Sequence, residues 1–299
     1  MNLFVTGAFR GTEEQLKILE DIAGRVIFMQ DERGDLPCCY GEVDAVLCNG
    51  LFLYHPIEKF TSLKYIQLTS AGLDRVPMEY VEKAGIEIHS ARGVYSIPMA
   101  EFALYGVLSL YKKGRFFMEN QAECRWEKHR DLTELYGKTV CVIGCGSVGR
   151  EVAKRFKAFG CKTVGVDLAE REEELFGKIY PIGKLKEALA LCDIVVLTLP
   201  LTNDTRHLIN TDAFDAMRKG AVLVNIARGG IVDTDALKQA LKTRLGGAVL
   251  DVFEEEPLQS EDELWKAENV IITPHNSFVG NGNNQRLFEV IIKNLKKED

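Results

Sequence analysis

The sequence predicts an α/β protein with a doubly wound parallel sheet in its second half and a smaller α/β domain before it. Two observations predict this fold. From Lys138 onward, short β-branched runs alternate with segments of helical period, as in chains that build parallel sheets. A glycine-rich turn at residues 144–149 (Gly-Cys-Gly-Ser-Val-Gly) joins the first of these strands to the first of these helices.

The second half contains short apolar runs typical of strands that are buried on both faces. These runs cover residues 140–143, 162–166, 194–199, 221–226, 247–251 and 270–273. Apolar residues at helical spacing predict helices between them, at residues 148–159, 185–191, 211–217 and 234–241. Such an alternation is typical of the Rossmann type of parallel sheet.

The first half shows a second alternation of strands and helices. Strands are predicted at residues 3–6, 26–29, 45–48, 65–68 and 86–89, and a helix at 13–22. Residues 97–111 predict a connector helix with Pro98 near its start, and residues 285–295 a final helix. We therefore expect a smaller, flavodoxin-like α/β domain at 1–97, completed by a C-terminal helix at 279–299, and a Rossmann domain at 98–278.

Composition excludes several functional classes. The chain has 299 residues, of which 46% are hydrophobic, so it is long enough for two cores. A net charge of −7 provides no general basic field, and we expect no nucleic-acid partner. No apolar stretch approaches the roughly 20 residues that span a bilayer, and the first residues lack a signal-peptide pattern. The eight cysteines show no Cys-x-x-Cys spacing. We expect a cytoplasmic protein with reduced thiols, no membrane partner and no metal.

The glycine-rich turn has the spacing of a dinucleotide-binding loop. Gly144 would make the tight turn, Gly146 would let the backbone approach a pyrophosphate, and Gly149 would allow close packing of helix on strand. The motif alone also fits an ordinary strand-to-helix turn. Asp167 strengthens the prediction, because it ends the next strand and can bind the adenosine ribose hydroxyls. A carboxylate there would repel a 2′-phosphate and favours NAD over NADP, although Arg171 lies close by in sequence.

Polar residues follow three later strands, where doubly wound folds place their ligands. Arg228 follows one strand, Glu254, Glu255 and Glu256 follow the next, and His275 follows the last. Taken singly, these residues fit a surface charge, a solvated acidic turn and a loop histidine. Together they match the reduction of a 2-oxo acid, because a guanidinium can bind a carboxylate and an imidazole can exchange a proton near neutral pH.

Several sequence segments match one family in the same order. They are residues 68–74, 100–101, Trp126 with 135–139, 144–149, 199–202 with Thr205, 225–233, 250–258 and 273–275. With them the sequence resembles the D-isomer-specific 2-hydroxyacid dehydrogenase family over nearly its whole length. The resemblance implies an NAD-dependent enzyme that moves hydride between nicotinamide and C2 of a small D-2-hydroxy or 2-oxo acid.

The resemblance also implies roles for individual residues. Arg228, Glu256 and His275 would form the catalytic triad, with Glu256 chosen because it precedes Pro257. The carboxylate would orient the imidazole and favour its protonated form. Backbone N–H groups of Ala71 and Gly72 would hold the substrate carboxylate. Further residues would contact the cofactor: Ser147, Val148, Pro200, Thr205, Ile226 and Ala227 would line it, and Asp251 would hold the nicotinamide carboxamide. The connector helix and the segment through Trp126 would form a homodimer.

The substrate is not fixed by the sequence. Residues 276–284 match no well-characterised substrate subgroup, and Met99 stands where a smaller β-branched residue is usual. Candidate specificity residues are Asn49, Gly50, Leu51, Phe52, Arg75, Tyr95 and Phe278. Their apolar members favour an aliphatic or aromatic acid, whereas Arg75 or Arg92 would suit a phosphate. Two alternatives are a dehydrogenase for an amino acid or formate, and a non-enzymatic NAD(H)-sensing scaffold on the same fold.

Overall fold

The computed structural model describes residues 1–297 and divides into two compact units. The first unit comprises Met1–Tyr95 together with the described residues from Gly280 onward. The second unit is Ser96–Val279. Each unit has its own parallel sheet and its own buried apolar clusters.

The sheet of the first unit has five parallel strands in the order β2-β1-β3-β4-β5. The strands are β1 (Asn2–Thr6), β2 (Arg25–Met29), β3 (Ala45–Cys48), β4 (Tyr65–Leu68) and β5 (Glu87–His89). This is the flavodoxin-like order, in which the chain reverses direction across the sheet between β1 and β3. The predicted fold class of the first half is confirmed.

Three helices cover this sheet. Helix α1 (Glu13–Ala23) begins with a capping box, in which Thr12 and Gln15 bond to each other's backbone N–H groups. Helix α2 (Met78–Ala84) precedes β5. The C-terminal helix (Asn283–Lys296) buries Leu287 and Ile291 in a cluster with residues of β1 and α1. This helix therefore completes the core of the first unit.

The second unit contains a seven-stranded parallel sheet with the order β12-β11-β10-β9-β6-β7-β8. Its strands are β6 (Thr139–Ile143), β7 (Lys162–Asp167), β8 (Ile179–Pro181), β9 (Ile194–Leu197), β10 (Val222–Asn225), β11 (Gly247–Leu250) and β12 (Val270–Ile272). The chain order reverses between β6 and β9, which is the switch point where doubly wound folds bind nucleotides.

Helices lie on both faces of this sheet. They are α3 (Ser96–Tyr111), α4 (Gly114–Ala122), α5 (Ser147–Ala158), α6 (Leu185–Leu189), α7 (Thr211–Ala216) and α8 (Thr234–Thr243), so that the C-terminal helix is α9. The packing of α3 on the sheet is close, because a Cβ on Gly106 would lie 2.5 Å from Val249 Cγ1. The two apolar clusters on either face form the core.

The predicted strands and the predicted helices are confirmed, with ends that differ by a few residues. Among the α-helices and strands of residues 1–297, α2, α4 and the short edge strand β8 were not predicted. The strand predicted at 194–199 ends at Leu197. Thr198 N still donates to the Ile143 carbonyl at 2.9 Å, and the Thr198 hydroxyl donates to the Gly144 carbonyl of the glycine-rich loop. Throughout residues 1–297, each helix is too short or too polar to span a lipid bilayer.

Candidate active site

Three polar side chains converge at the carboxyl edge of the second unit's sheet. Arg228 follows β10, Glu256 follows β11 and His275 follows β12. All three line one cavity of about 470 Å³ together with Leu201, Arg206, Gly229, Gly230, Phe253, Glu254 and Glu255. Because neighbouring parallel strands end at the same edge, residues far apart in sequence meet here.

His275 and Glu256 form a hydrogen-bonded pair. His275 Nδ1 lies 2.9 Å from Glu256 Oε2, while Glu256 Oε1 accepts a hydrogen bond of 3.0 Å from the N–H of Phe253. The two side chains remain 41% and 38% exposed. The pair is thus accessible to a small molecule. Since the contact with Glu256 uses Nδ1, Nε2 of His275 can bond to a substrate.

The three adjacent glutamates have different surroundings. Glu254 bonds to His207 Nε2 at 2.5 Å and accepts hydrogen bonds from the N–H and hydroxyl of Thr234. Burial raises the pKa of the Glu254 carboxyl, but the hydrogen bonds from Thr234 and His207 outweigh it and lower that pKa below its usual value. In the described part of the chain, Glu256 is the glutamate of this turn that contacts His275.

The loop that carries Arg228 is shaped by a buried asparagine. Asn225 is 1% exposed, accepts a hydrogen bond from the N–H of Ala227 and donates one to the carbonyl of Arg228. Arg228 Nη1 bonds to the carbonyl of Ala227 at 2.8 Å. Ile226 and Ala227 are buried beside it at the end of β10. This role of Asn225 was not predicted, although an amide at the end of a strand is a sequence signal for a loop of this kind.

Asp251 anchors the loop that carries His275. Its carboxylate is fully buried and accepts hydrogen bonds from the Thr273 hydroxyl (2.5 Å), Asn276 N (2.8 Å) and Ser277 N (2.9 Å). Its backbone carbonyl accepts from His275 N at 2.7 Å. A carboxylate has about four acceptor positions, so three are already used within the protein. Holding this loop is therefore a role of Asp251 that the sequence did not reveal.

The glycine-rich loop has the geometry that a dinucleotide requires. Gly144 has φ = 95°, and a Cβ there would lie 2.7 Å from Leu199 N. A Cβ on Gly149 would lie 2.1 Å from the Gly144 carbonyl oxygen, whereas Gly146 faces open space. Gly146 is also the N-cap of α5 and provides no side-chain cap. The first N–H groups of the helix, at Ser147 and Val148, can therefore bind a phosphate, and these residues fit a dinucleotide.

Two threonines support the cofactor region from the next crossover. Thr198 Oγ1 donates a 2.6 Å hydrogen bond to the Gly144 carbonyl and so fixes the glycine-rich loop. Thr205 Oγ1 donates to the carbonyl of Pro200 at 2.8 Å and accepts from Thr202 N, which closes the turn after β9. The contribution of Thr198 was not predicted. In the sequence, its position two residues before Pro200 is the one feature that could have indicated this role.

Asp167 ends β7, as predicted, and its carboxylate is hydrogen-bonded. Oδ2 accepts from Arg171 Nη2 at 2.8 Å and from Cys145 N at 3.2 Å, and Oδ1 accepts from Leu168 N at 2.8 Å. Hydrogen bonding to Asp167 raises the pKa of the Arg171 guanidinium. The acid predicted to bind the ribose thus forms an ion pair with the arginine four residues later.

Ala71 and Gly72 lie in the first unit, in the loop after β4. Ala71 is exposed and Gly72 is partly buried, and the Ser70 hydroxyl donates to the Gly72 carbonyl at 2.9 Å. The loop after β3 is held by Glu32, whose carboxylate accepts 2.7 Å hydrogen bonds from the N–H groups of Asn49 and Gly50.

Two of the candidate specificity residues have structural roles in the first unit. Leu51 is fully buried in its core, so its contribution is packing. The Tyr95 hydroxyl donates a hydrogen bond to the Thr69 carbonyl. Asn49, Gly50 and Arg75 line a cavity of about 420 Å³ within this unit. Within residues 1–297, no group of three or more histidine, cysteine, aspartate or glutamate side chains is arranged to hold a metal.

Comparisons with known proteins identify the family. The model of the D-isomer specific 2-hydroxyacid dehydrogenase, NAD binding domain, matches residues 104–277. The chain belongs to the D-isomer-specific 2-hydroxyacid dehydrogenases. A glyoxylate reductase of Pyrococcus horikoshii is 36% identical over 250 residues, which are 80% of this chain and 74% of that protein. A hydroxypyruvate reductase of Thermotoga maritima is 36% identical over 224 residues, 73% of this chain and 72% of that protein.

Solved structures of this family agree with the fold. A D-lactate dehydrogenase from Aquifex aeolicus, complexed with NAD and lactic acid, has a TM-score of 0.77 and 26% identity, and the match covers 99% of this chain and 94% of that one. This D-2-hydroxyacid dehydrogenase is thus an NAD-dependent oxidoreductase with a Rossmann domain, as predicted. The comparisons give the non-enzymatic alternative no support, because these relatives are named for reductase and dehydrogenase activities.

Proposed function

We propose that this dehydrogenase interconverts a small D-2-hydroxy acid and its 2-oxo acid with Arg228, Glu256 and His275 as the catalytic residues. The observation that carries the proposal is their convergence on one cavity at the carboxyl edge of the sheet that also carries the glycine-rich loop. Gly144, Gly146, Gly149 and Asp167 would hold the dinucleotide, with Ser147, Val148, Pro200, Thr205, Ile226 and Ala227 beside it.

The nicotinamide, when bound, supplies or accepts the hydride at C2 of the acid. As hydride reaches C2, His275 donates a proton from Nε2 to the C2 oxygen, and in the oxidative direction it takes that proton back. Glu256 keeps the ring oriented through the Nδ1 contact and stabilises the imidazolium by its negative charge. Arg228 binds the substrate carboxylate and polarises the C2 carbonyl.

The first unit supplies the remaining substrate contacts in this proposal. Residues 1–97 with the C-terminal segment 279–299 act as the substrate domain, and residues 98–278 as the NAD domain. The N–H groups of Ala71 and Gly72 hold the substrate carboxylate. The spare acceptor position of the Asp251 carboxylate would accept a hydrogen bond from the NH₂ group of the nicotinamide carboxamide, in addition to the hydrogen bonds within its own loop.

Glyoxylate and hydroxypyruvate are the substrates proposed first. Support comes from the names of two relatives, a glyoxylate reductase and a hydroxypyruvate reductase, each 36% identical to this chain. NADH oxidation with a panel of glyoxylate, hydroxypyruvate, pyruvate, 2-oxoisocaproate and phenylpyruvate tests this. We expect turnover with at least one acid. Tight NADH binding without turnover of any acid would overturn the enzymatic proposal and favour the NAD(H)-sensing scaffold.

Single substitutions test the catalytic assignments. His275→Asn should lower kcat by about 10² to 10⁴, the usual contribution of general acid–base catalysis. Glu256→Gln should lower kcat/KM by about tenfold, because it removes the charge next to the imidazolium. Glu255→Gln is the matched control: it removes the same charge one residue away and should change kcat/KM less than about twofold. Equal losses in the two glutamate variants would refute the role of Glu256.

We also propose that the protein is a cytoplasmic homodimer. Large apolar side chains are exposed on α3, α4 and the segment after them: Tyr105 is 52%, Met118 62%, Trp126 97% and Tyr136 77% exposed. Apolar side chains at this density favour an interface between copies. Light scattering should give twice the monomer mass, and a monomer at micromolar concentration would contradict the proposal. All eight cysteines are unpaired, which suits a reducing compartment.

A further inference from the structure

The ion pair at the end of β7 changes what the adenosine end of the cofactor site can accept. Arg171 Nη2 bonds both to Asp167 Oδ2 at 2.8 Å and to the carbonyl oxygen of Cys145 at 3.1 Å. Asp167 Oδ2 also accepts from Cys145 N. The guanidinium therefore lies against the carboxylate and the glycine-rich loop together, at the position that would receive the adenosine ribose.

A bare aspartate at this position excludes NADP by charge, because a 2′-phosphate carries about two negative charges at neutral pH. Here the formal charges of Asp167 and Arg171 cancel. Two other acids of the following loop are paired as well, Glu173 with Arg150 at 2.8 Å and Glu170 with Lys178 at 3.8 Å. Pairing of Asp167, Glu170 and Glu173 therefore weakens the repulsion of a 2′-phosphate relative to a bare aspartate, and the exposed Glu172 and Glu174 remain as negative charges of this loop.

Both partners of the ion pair keep hydrogen-bonding capacity for a ligand. Asp167 Oδ1 accepts from Leu168 N and retains a second acceptor position for a ribose hydroxyl. Within the described residues, Arg171 uses Nη2 for its two protein contacts, which leaves Nε and Nη1 for a phosphate. The Arg171 side chain is 43% exposed, so the guanidinium can rotate toward a ligand without leaving a buried site.

From this arrangement we propose that Arg171 is a specificity-determining residue that lets the enzyme bind NADP(H) in addition to NAD(H). With NADH, Asp167 bonds to the ribose while Arg171 stays paired to it. With NADPH, Arg171 keeps its Nη2 contact with Asp167, so that the carboxylate stays paired, and donates from Nε and Nη1 to the 2′-phosphate, whose charge it offsets in part. The proposal concerns the cofactor alone and is independent of which acid is the substrate.

Binding titrations of the whole protein test the proposal without the reaction. The fluorescence of NADH and of NADPH is followed as protein is added, and calorimetry with NADP⁺ provides a second measurement. For the wild-type protein we expect NADPH to bind within about thirtyfold of NADH. Arg171→Ala should weaken NADPH binding about tenfold, as expected for loss of one partly exposed charge-assisted contact, and leave NADH binding within about twofold.

Arg150→Ala is the matched control. It removes a guanidinium that is paired to Glu173 of the same acidic loop but not to Asp167. It should change the two dissociation constants by the same factor. If Arg171→Ala does not fold, as judged by circular dichroism, Arg171→Gln gives the same test with a smaller change of shape.

Three results would overturn the proposal. In the first, the wild-type protein shows no binding of NADPH even when the NADPH concentration is a hundred times the NADH concentration that saturates the protein. The second is an Arg171→Ala variant that weakens both cofactors equally, which would make Arg171 a residue that only stabilises the loop. The third is tighter NADPH binding in that variant, which would show that Arg171 obstructs the phosphate.

Discussion

Asp251→Asn tests whether the carboxylate under the active site holds its own loop in addition to the cofactor. The side chain is fully buried, and its two oxygens accept hydrogen bonds from Thr273, Asn276 and Ser277. Asparagine has nearly the same shape but replaces one oxygen by an NH₂ group. In its better orientation, Oδ1 keeps the hydrogen bonds from Thr273 and Asn276, while the NH₂ group faces the N–H of Ser277.

The cost follows from these contacts. One charge-assisted hydrogen bond of about 1.5–3 kcal/mol is lost, and a buried donor is left without an acceptor at about 1–3 kcal/mol. A total near 3 kcal/mol should lower the melting midpoint by about 10 °C in a unit of this size. Because His275 lies between two residues that Asp251 binds, we also expect kcat to fall by at least about tenfold.

The assay is thermal unfolding followed by circular dichroism, with NADH affinity measured on the same samples. Asp233→Asn is the matched control. Asp233 caps α8 through a 2.9 Å bond from Ala236 N, and asparagine is an equally good N-cap, so the midpoint should barely move. If Asp251→Asn keeps its midpoint within about 2 °C but loses NADH affinity about tenfold, the carboxylate serves only the cofactor and our assignment of it to the loop is refuted.

Three further variants or reagents test other parts of the site. Thr198→Val should weaken NADH binding about fivefold, because it removes one hydrogen bond of about 1 kcal/mol to the Gly144 carbonyl; unchanged affinity would contradict the support we assign to it. The Glu254 carboxyl has a lowered pKa, so its stabilising contribution is present above the usual value of 4.5 and is lost as pH falls through the lowered pKa. The midpoint difference between wild type and Glu254→Gln should accordingly shrink on acidification, and a constant difference would oppose this. Burial, followed by the charge of Asp167, raises the pKa of the Cys145 thiol to about 12, so an alkylating reagent at pH 8 should modify the exposed Cys39 and leave Cys145 unmodified in mass spectra.

The fold was predictable for segments that bury one or both of their faces, because such burial leaves a regular pattern of apolar residues in the sequence. The strands of the second sheet consist almost entirely of β-branched and other apolar residues, and their burial explains why the pattern could be recognised. Helix α4 could not be recognised, because its Phe117 and Met118 face solvent and the buried position is Asn120. A helix without an apolar face toward the core has no periodic signal.

The site was predictable in its residue types but not in its pairings. Three consecutive glutamates cannot be distinguished by their sequence positions alone. Glu254 bonds to His207 and Thr234, which lie far away in sequence, and these contacts hold its carboxylate away from His275. The family resemblance selected Glu256, and the geometry places that residue against the imidazole. The loop contacts of Asp251 were missed for the same reason, because its donors lie 22 to 26 residues further along the chain.

The polar residues at this edge of the sheet divide into two groups: buried residues that stabilise the loops, and exposed residues that are available to a substrate. Asn225 and Asp251 are buried and form hydrogen bonds with backbone groups of the loops, so they fix the conformation of these loops. Glu256 and His275 remain about 40% exposed and add little to stability, because ion pairs at the surface are worth less than about 1 kcal/mol. His275 also has φ = 52°, a conformation that is unfavourable for a side chain of this size and persists because the anchored loop imposes it. Substitution in the first group should therefore reduce stability and turnover together, whereas substitution in the second group should reduce turnover while the melting midpoint stays the same or rises.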